Sequence, residues 1–400
     1  MANDVLVSPA MLASPQLIEN PYPIYDELRS QSPIMKGTAL KQPGWYVTGY
    51  EEAAMILKDP RFENRIPLPQ TTKKFAQLKN VQNDMLLFKN DQDHRRLRLL
   101  MSPFFTPAAL NDLCPYIEKT AHDLVDDVYN QKRMDIIADF AFPLASLIIA
   151  KIIGIPAEDR WQFRGWAISL IESIDFTRSR KTLLHGNETM KGLIDYFNTL
   201  IQKRRQSPEN DFISQLLEAQ QNDQLSNEEI LSACILLVIA GHETTVNLIS
   251  NSVLALLRNR EQLQLLKKQP SLMESAVEEF LRYESPTQMV ARVAGDDIHI
   301  NNVCIEQGEQ VYILIGAANR DSAKFAHPNV LDITRNPNPH LAFGIGSHFC
   351  IGAMLAKLEA KMAILPLIQR LEHLQLETQH LQWRNLVGFR ALDQLMVRWG

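Results

Sequence analysis

Chemically able residues gather in four short stretches of this 400-residue sequence. The first is FGIGSHFCIG, residues 343–352. Cys350 lies among glycines there, with His348 two residues before it. Gly344, Gly346 and Gly352 permit tight turning and close approach of the backbone to something bulky. From Ala353 onward, Leu355, Leu358 and Met362 recur at helical spacing. Cys350 therefore stands where a loop enters a helix N-terminus. The helix dipole and free N–H groups at such a place favour a thiolate, lowering the thiol from its usual pKa of about 8.5. The competing reading is a buried structural cysteine, a common fate of free thiols.

The second stretch is AGHETTVN, residues 240–247, inside an apolar helical run. Gly241 costs a helix interior about 1 kcal/mol against alanine. Ala240 and Gly241 leave one face bare, as if something flat lay against it. Glu243, Thr244 and Thr245 add an acid and two hydroxyls. A threonine there can bond back to a carbonyl and bend the helix, and an acid beside a hydroxyl could deliver protons; a kinked core helix with satisfied polar groups is the alternative. The third stretch is EEFLR, residues 278–282, with Glu279 and Arg282 on one helix face. Surface pairs of this kind contribute little. The fourth is DHRRLR, residues 93–98, where His94 and Arg98 share a face and could grip a carboxylate. A basic surface face would look the same.

These stretches need elements to hold them. Residues 20–34 read as a short helix begun near proline, 44–50 as a strand, and 51–62 as a helix ended before Pro60. Residues 63–92 have no clean period and read as a long loop, which is uncommon unless functional. From Asp93 to about Lys268 the pattern is almost wholly helical. Breaks fall at SPFFTP, at GIPAED, over 172–188 and at RRQSPEND. Within that span, 225–259 is unusually long for one helix and opens on a capping box, Ser226 with Glu229. Residues 271–286 form a helix stopped by Pro286. Two short strands turned at Asn301–Asn302 follow, then another strand in EQVYILIG. Residues 318–349 are irregular, the last helix starts near Gly352, and 386–400 look strand-like. The expected fold is mainly α with a small β portion, and no composition shift divides residues 1–400, so one domain is expected.

Composition narrows the function classes. The net charge of −5 leaves no nucleic-acid footprint, and the phosphate-gripping GxxxxGK[ST] and GxGxxG patterns are absent. Cys114, Cys234, Cys304 and Cys350 are far apart with no CxxC, which argues against a paired-cysteine zinc site and a disulfide scaffold and suits a reducing cytosol. No signal-peptide pattern opens the sequence. The apolar runs 140–156 and 231–241 are short for membrane spans before they meet Lys151, Pro156 or HETT, so they read as core helices. The expectation is a soluble cytoplasmic protein, a monomer, with no membrane and no nucleic acid as partner.

Taken together, the motifs resemble the cytochrome P450 superfamily. FGIGSHFCIG matches its FGxGxHxCxG haem loop, AGHETT its [AG]Gx[DE]TT oxygen-activation motif, and EEFLR its ExxR motif, in the expected order. The resemblance covers essentially the whole chain and is greatest to the soluble bacterial branch, including members that oxidise macrolides, other polyketides and fatty-acyl chains. It implies a cytochrome P450 fold with haem b (iron protoporphyrin IX) between the long central helix and the cysteine-loop helix. It further implies Cys350 as the thiolate ligand of the iron, pushing electron density toward it, with glycine N–H groups tuning the sulfur and Phe343 shielding it. Gly344 and Gly352 would frame the loop. His94, Arg98, Arg292 and His348 match positions that bind the two haem propionates. Glu279 and Arg282 would form a buried network with Arg335, a folding role. Ala240 and Gly241 would leave room for O2, and Glu243 and Thr244 would relay protons to it.

By the same resemblance, the substrate pocket is expected from the 63–92 loop, the 170–185 region, Ile239, Ala240, Met289, Val290 and Phe389. The implied activity is a monooxygenase: one oxygen atom of O2 enters a C–H bond of a lipophilic small molecule. Two electrons would come from a separate ferredoxin or flavodoxin with its NAD(P)H reductase. Arg95, Arg96 and Lys357 are candidates for docking it, with a solvated face as the alternative. Rivals are a peroxide-using peroxygenase, a C–C cleaving member and a non-catalytic haem ligand sensor. The acid–threonine pair favours the O2 route.

Overall fold

The computed structural model describes residues 9–12, 14–39, 43–65, 73–222 and 224–400. The chain opens with two short helices, α1 (Pro9–Leu12) and α2 (Pro15–Glu19), then α3 (Tyr22–Gln31). Strands β1 (Ile34–Gly37) and β2 (Gly44–Val47) follow, then α4 (Tyr50–Lys58) and β3 (Phe62–Glu63). The strand expected over 44–50 is shorter because Gly49 starts α4.

The described part of 63–92 is not one loop. It holds a 3₁₀ turn at Lys73–Phe75, helix α5 (Ala76–Asp84) and a second 3₁₀ turn at Leu86–Phe88. Phe75, Leu78, Val81 and Met85, three to four residues apart as on one helix face, are buried on its inner side. Residues 66–72, within the same expectation, lie outside the described residues.

The helical half then runs through α6 (Asp91–Met101), α7 (Pro107–Tyr129), strand β4 (Arg133–Asp135), a π-helical turn at Ile136–Ala141 and α8 (Phe142–Ile153). Gly154, at φ 93°, ends α8 in the left-handed region that glycine tolerates. Next come α9 (Arg160–Ile174), α10 (Arg180–Gln206), α11 (Phe212–Gln221) and α12 (Asn227–Arg258). The Ser226–Glu229 capping box forms as expected, and α12 runs unbroken for 32 residues through AGHETT. Its residues are buried nearly all round, which explains both its length and its weak amphipathicity. Both Ile136–Ile153 and Asn227–Arg258 are long and apolar enough to cross a membrane, contrary to the expectation, but their apolar windows are 67% and 72% buried within the protein.

The remaining elements are α13 (Arg260–Lys268), α14 (Met273–Tyr283), β5 (Met289–Ala294), β6 (Ile298–Ile300), β7 (Val303–Ile305), β8 (Gln310–Leu314), α15 (Ile315–Ala318), α16 (Ala353–Arg370), β9 (Gln375–Leu376) and β10 (Met396–Arg398). The β6–β7 hairpin turns where expected, with Asn301 at φ 51°. The main sheet has the order β1-β2-β8-β5-β3, with β2 and β8 parallel and the other pairs antiparallel. A second sheet has the order β4-β10-β9.

The strand expected over 386–400 reduces to β10. Upstream of it, Val387 and Gly388 give their N–H groups to the Asp175 carboxylate, and Arg390 gives its own to the Pro286 carbonyl. The Val387 and Gly388 N–H groups are thus not available for a ladder, and that of Arg390 serves only the isolated Thr287–Phe389 bridge.

Candidate haem-thiolate site

The cysteine loop is a folded object. Cys350 N–H donates to the Phe343 carbonyl at 2.9 Å, Gly344 N–H to Leu341 at 2.8 Å and Phe349 N–H to Gly346 at 3.1 Å. Gly344 and Gly346 have φ of 68° and 85°. Gly346 is doubly constrained, since a Cβ there would lie 2.8 Å from the Leu57 carbonyl oxygen. Gly352 is the residue on which α16 begins. Cys350 is open to solvent on one side, yet dense protein surrounds it. Burial therefore pushes its thiol up, against the smaller lowering effects of the Gly352 N–H and the Arg98 charge.

Beside the loop lies a group of basic side chains, His94, Arg98, Arg292 and His348. The His94 and His348 rings are 4.0 Å apart. His348 is pushed down to about 3 by burial, then by His94, Arg292 and Arg98. Burial, then Arg98, lowers His94. Arg292, on β5, is pushed down to about 10 by burial alone. Among the described residues neither Arg98 nor Arg292 has a carboxylate partner; Arg292 Nη1 donates only to the neighbouring Ala291 carbonyl, at 2.9 Å. Sequence reasoning missed Asn64. Its Nδ2 lies 2.9 Å from His348 Nδ1, and Asn64 and Asn90 exchange two hydrogen bonds that hold it there. No motif marks Asn64, which sits far from His348 in sequence.

The chemistry of this donor set fits a haem: one thiol in a glycine loop, and beside it cationic side chains lacking anionic partners. Two propionates would supply the missing charge. Ala240 fits too, being the exposed residue in the buried centre of α12. Gly241 carries a packing constraint of its own. A Cβ on it would come within 2.3 Å of Ile149 Cδ1, so its bareness serves the packing of α12 on α8.

The acid and the hydroxyl of AGHETT diverge. Thr244 Oγ1 donates to the Ala240 carbonyl at 2.7 Å. Glu243 is buried and bonded to Arg384 Nη1. Arg384 Nη2 also reaches Glu172, at 3.4 Å, whose side chain is 37% exposed. Burial raises the Glu243 carboxyl, and Arg384 offsets part of the rise. Arg384 is 141 residues from Glu243, and nothing in its own neighbourhood announces it. His242, also unremarked in the sequence, is buried, bonded to the Val238 carbonyl and pushed down to about 4 by burial.

EEFLR becomes a sealed knot. Arg282 and Glu279 are fully buried and doubly bonded, at 2.8 Å each. Arg335 Nε reaches Glu279 at 3.1 Å, as the motif implied. Unforeseen partners complete the knot. Asp332 N–H and Asn338 Nδ2 donate to the Glu279 carboxylate, and Arg282 donates to the carbonyls of Asn319, Pro328 and Val330. Asn319 Oδ1 then accepts from Leu341 N–H, at 2.7 Å, at the edge of the cysteine loop.

The expected pocket residues meet only in part. Alternation along β5 places Val290 and Arg292 on one face. Met289 lies on the other, buried in a cluster with Tyr46, Tyr312 and Val387. Phe389 bridges to Thr287, and Gly388 accepts the Gln288 N–H at 2.8 Å. Asp175, buried at the end of α9, grips this turn through Val387 and Gly388. Ile239 is buried in α12. Of the docking candidates, Arg96 is bonded to Glu229 and Lys357 to Glu278 at 2.9 Å, while Arg95 is exposed.

Comparison with known proteins agrees with this arrangement: residues 163–387 match the family model described as Cytochrome P450. The chain belongs to the cytochrome P450 family and is a monooxygenase enzyme of it, carrying haem iron. Among its relatives, the biotin biosynthesis cytochrome P450 of Bacillus subtilis (strain 168) is 57% identical over 385 residues, covering 96% of this chain and 98% of that one. The polyketide biosynthesis cytochrome P450 PksS of the same strain is 37% identical, covering 94% and 95%. Among solved structures, P450BioI in complex with hexadec-9Z-enoic acid ligated acyl carrier protein superposes with a TM-score of 0.94 at 57% identity, covering 96% of this chain and 100% of that one.

Proposed function

We propose that the protein is a soluble, cytoplasmic haem-thiolate monooxygenase of one domain. It hydroxylates a long acyl chain, polyketide- or fatty-acyl-like, carried on an acyl carrier protein. Cys350 is the proposed iron ligand, and His94, Arg98, Arg292 and His348 are the proposed hosts of the propionates of haem b. The reaction joins R–H, O2, two electrons and two protons to give R–OH and water. A ferredoxin or flavodoxin with its NAD(P)H reductase supplies the electrons. The observation that carries this reading is the unpaired cationic group beside the cysteine loop. Support for the acyl substrate comes from the relative whose structure holds an acyl-loaded carrier protein.

When bound, thiolate-ligated haem iron binds and activates dioxygen. The chain supplies the surroundings. Arg98 and Arg292 neutralise and orient carboxylates in a site where burial strengthens such pairs. Thr244 is fixed on α12 by its bond to Ala240, which leaves its oxygen free to accept from water. Glu243, whose Arg384 partner also reaches the half-exposed Glu172, would carry a proton on its own carboxyl by turning between that partner and the interior.

Cys350→Ser tests the reading. It is expected to fold but to lose the reduced carbon-monoxide band characteristic of thiolate-ligated haem, and retention of that band would sink the assignment. Product analysis with an acyl substrate separates insertion, which keeps chain length, from C–C cleavage, which shortens it.

A further inference from the structure

Helices α5 and α9 pack against both α10 and α12, and the outer side of α10 carries a cluster of exposed cations that, among the described residues, have no carboxylate partner. Helix α10 opens on a Ser179–Thr182 capping box, which sets Arg180 and Lys181 in its first turn. Helical spacing puts Arg180, Leu184 and Lys191 on one stripe, while Gly186, Met190, Leu193 and Phe197 face inward. Asn187 Oδ1 accepts the N–H groups of Gln77 and Leu78, at 3.1 and 3.3 Å, and so lays the Lys73–Asp84 segment along α10. That brings Lys73 and Lys74 to the same side.

All five of these cations are exposed. Among the described residues none of them pairs with a carboxylate. Elsewhere on the surface pairing is common: Lys119 with Asp123, Lys324 with Glu51, Lys361 with Glu274 and Arg370 with Asp126. Glu188 and Asp195 are exposed acids on the same helix and leave the face net positive. Leu184, 42% exposed, gives it an apolar centre.

We infer that this face, formed by Lys73, Lys74, Arg180, Lys181, Lys191 and Leu184, is the docking surface for an acidic acyl carrier protein. The inference rests on the acyl-substrate reading above. The whole chain bears a net charge of −5, so an acidic partner meets repulsion over much of it and attraction here. Complementary charge raises the encounter rate and fixes orientation.

The experiment titrates the haem-loaded enzyme with palmitoyl-loaded acyl carrier protein and, separately, with free palmitate, following the haem absorption shift by stopped flow. The charge-reversed variant is Lys73→Glu/Lys74→Glu/Lys181→Glu/Lys191→Glu, with Arg95→Glu, an exposed cation on α6, as the control. The four-fold variant should slow carrier association by about tenfold or more at low salt, and high salt should erase the difference. Its response to free palmitate should stay within about twofold of the parent, and Arg95→Glu should leave carrier association unchanged. Unchanged carrier association in the four-fold variant overturns the inference, as does a loss produced by Arg95→Glu instead. Lost binding to anionic phosphatidylglycerol vesicles with carrier association intact reassigns the face to a lipid surface. If the parent responds to neither probe, the acyl reading itself fails; if it responds only to palmitate, that reading stands and the docking surface falls.

Discussion

Two buried glutamates, Glu279 and Glu243, each have an arginine partner, and their surroundings differ in kind. Glu279 lies in a closed knot: two arginines, an amide and a backbone N–H converge on it, and Arg282 is wholly sealed. Glu243 has one arginine, which also reaches a half-exposed acid. A closed network has one arrangement and can only hold. An open one can exchange partners and let a proton through. A third glutamate, Glu359, marks the limit. It is buried with Oε2 unpartnered, and burial raises its carboxyl well above the ordinary range.

The largest effect should come from breaking the closed network. Glu279→Ala or Arg282→Ala leaves an uncompensated buried charge, costing about 3–5 kcal/mol, a large share of a typical stability of about 5–15 kcal/mol. Mainly haem-free or aggregated protein is expected, read by haem content and melting temperature. Normal values in both variants would erase the distinction drawn here.

Opening the other network should act on turnover. Glu243→Gln should lower kcat by roughly 10²-fold and keep haem content near that of the parent. Arg384→Met removes an influence that lowers the Glu243 carboxyl, so the pH at which Glu243 ionises should rise, and with it the acid limb of the kcat profile. A melting temperature that collapses as in the Arg282 variant would class this network as structural.

Thr244→Ala should be milder in total turnover and should show itself in coupling. Product per NADPH should fall and released hydrogen peroxide should rise, with substrate binding nearly unchanged. Unchanged coupling would mean that the Thr244–Ala240 hydrogen bond only shapes α12.

The smallest effect concerns Glu359. A carboxyl whose folded pKa is raised favours the folded state fully below its unfolded value, about 4.3. That contribution is lost as pH rises through the folded value. Glu359→Gln has no such loss. The melting temperature of the variant relative to the parent should therefore climb as pH rises from about 4.3 toward the folded value and level off above it; a constant gap would show that the carboxylate is satisfied.

Legibility from sequence followed locality. The capping box of α12, the β6–β7 turn and the glycine loop depend on residues within a few positions of each other, and all were readable. The buried state of Glu279–Arg282 was not readable from its spacing, since an exposed pair has the same one; only the resemblance implied it. Helix α5 was missed although its buried residues are spaced as on one helix face. Arg384, Asn64 and Asp175 were missed because each acts on a residue far away in the chain. The packing constraint on Gly241 was hidden for the same reason: the side chain that a Cβ there would meet is Ile149, on another helix.

That last contact has a consequence for descent and for redesign. Positions 149 and 241 share one volume, so they are not free to drift separately. An alanine at 241 should be tolerated only with a smaller residue at 149, and related sequences should show the two sizes moving in opposition. Attempts to reshape the reaction chamber through α12 alone would meet resistance from the far side of the helix, where α8 sets how deeply the helix can sit.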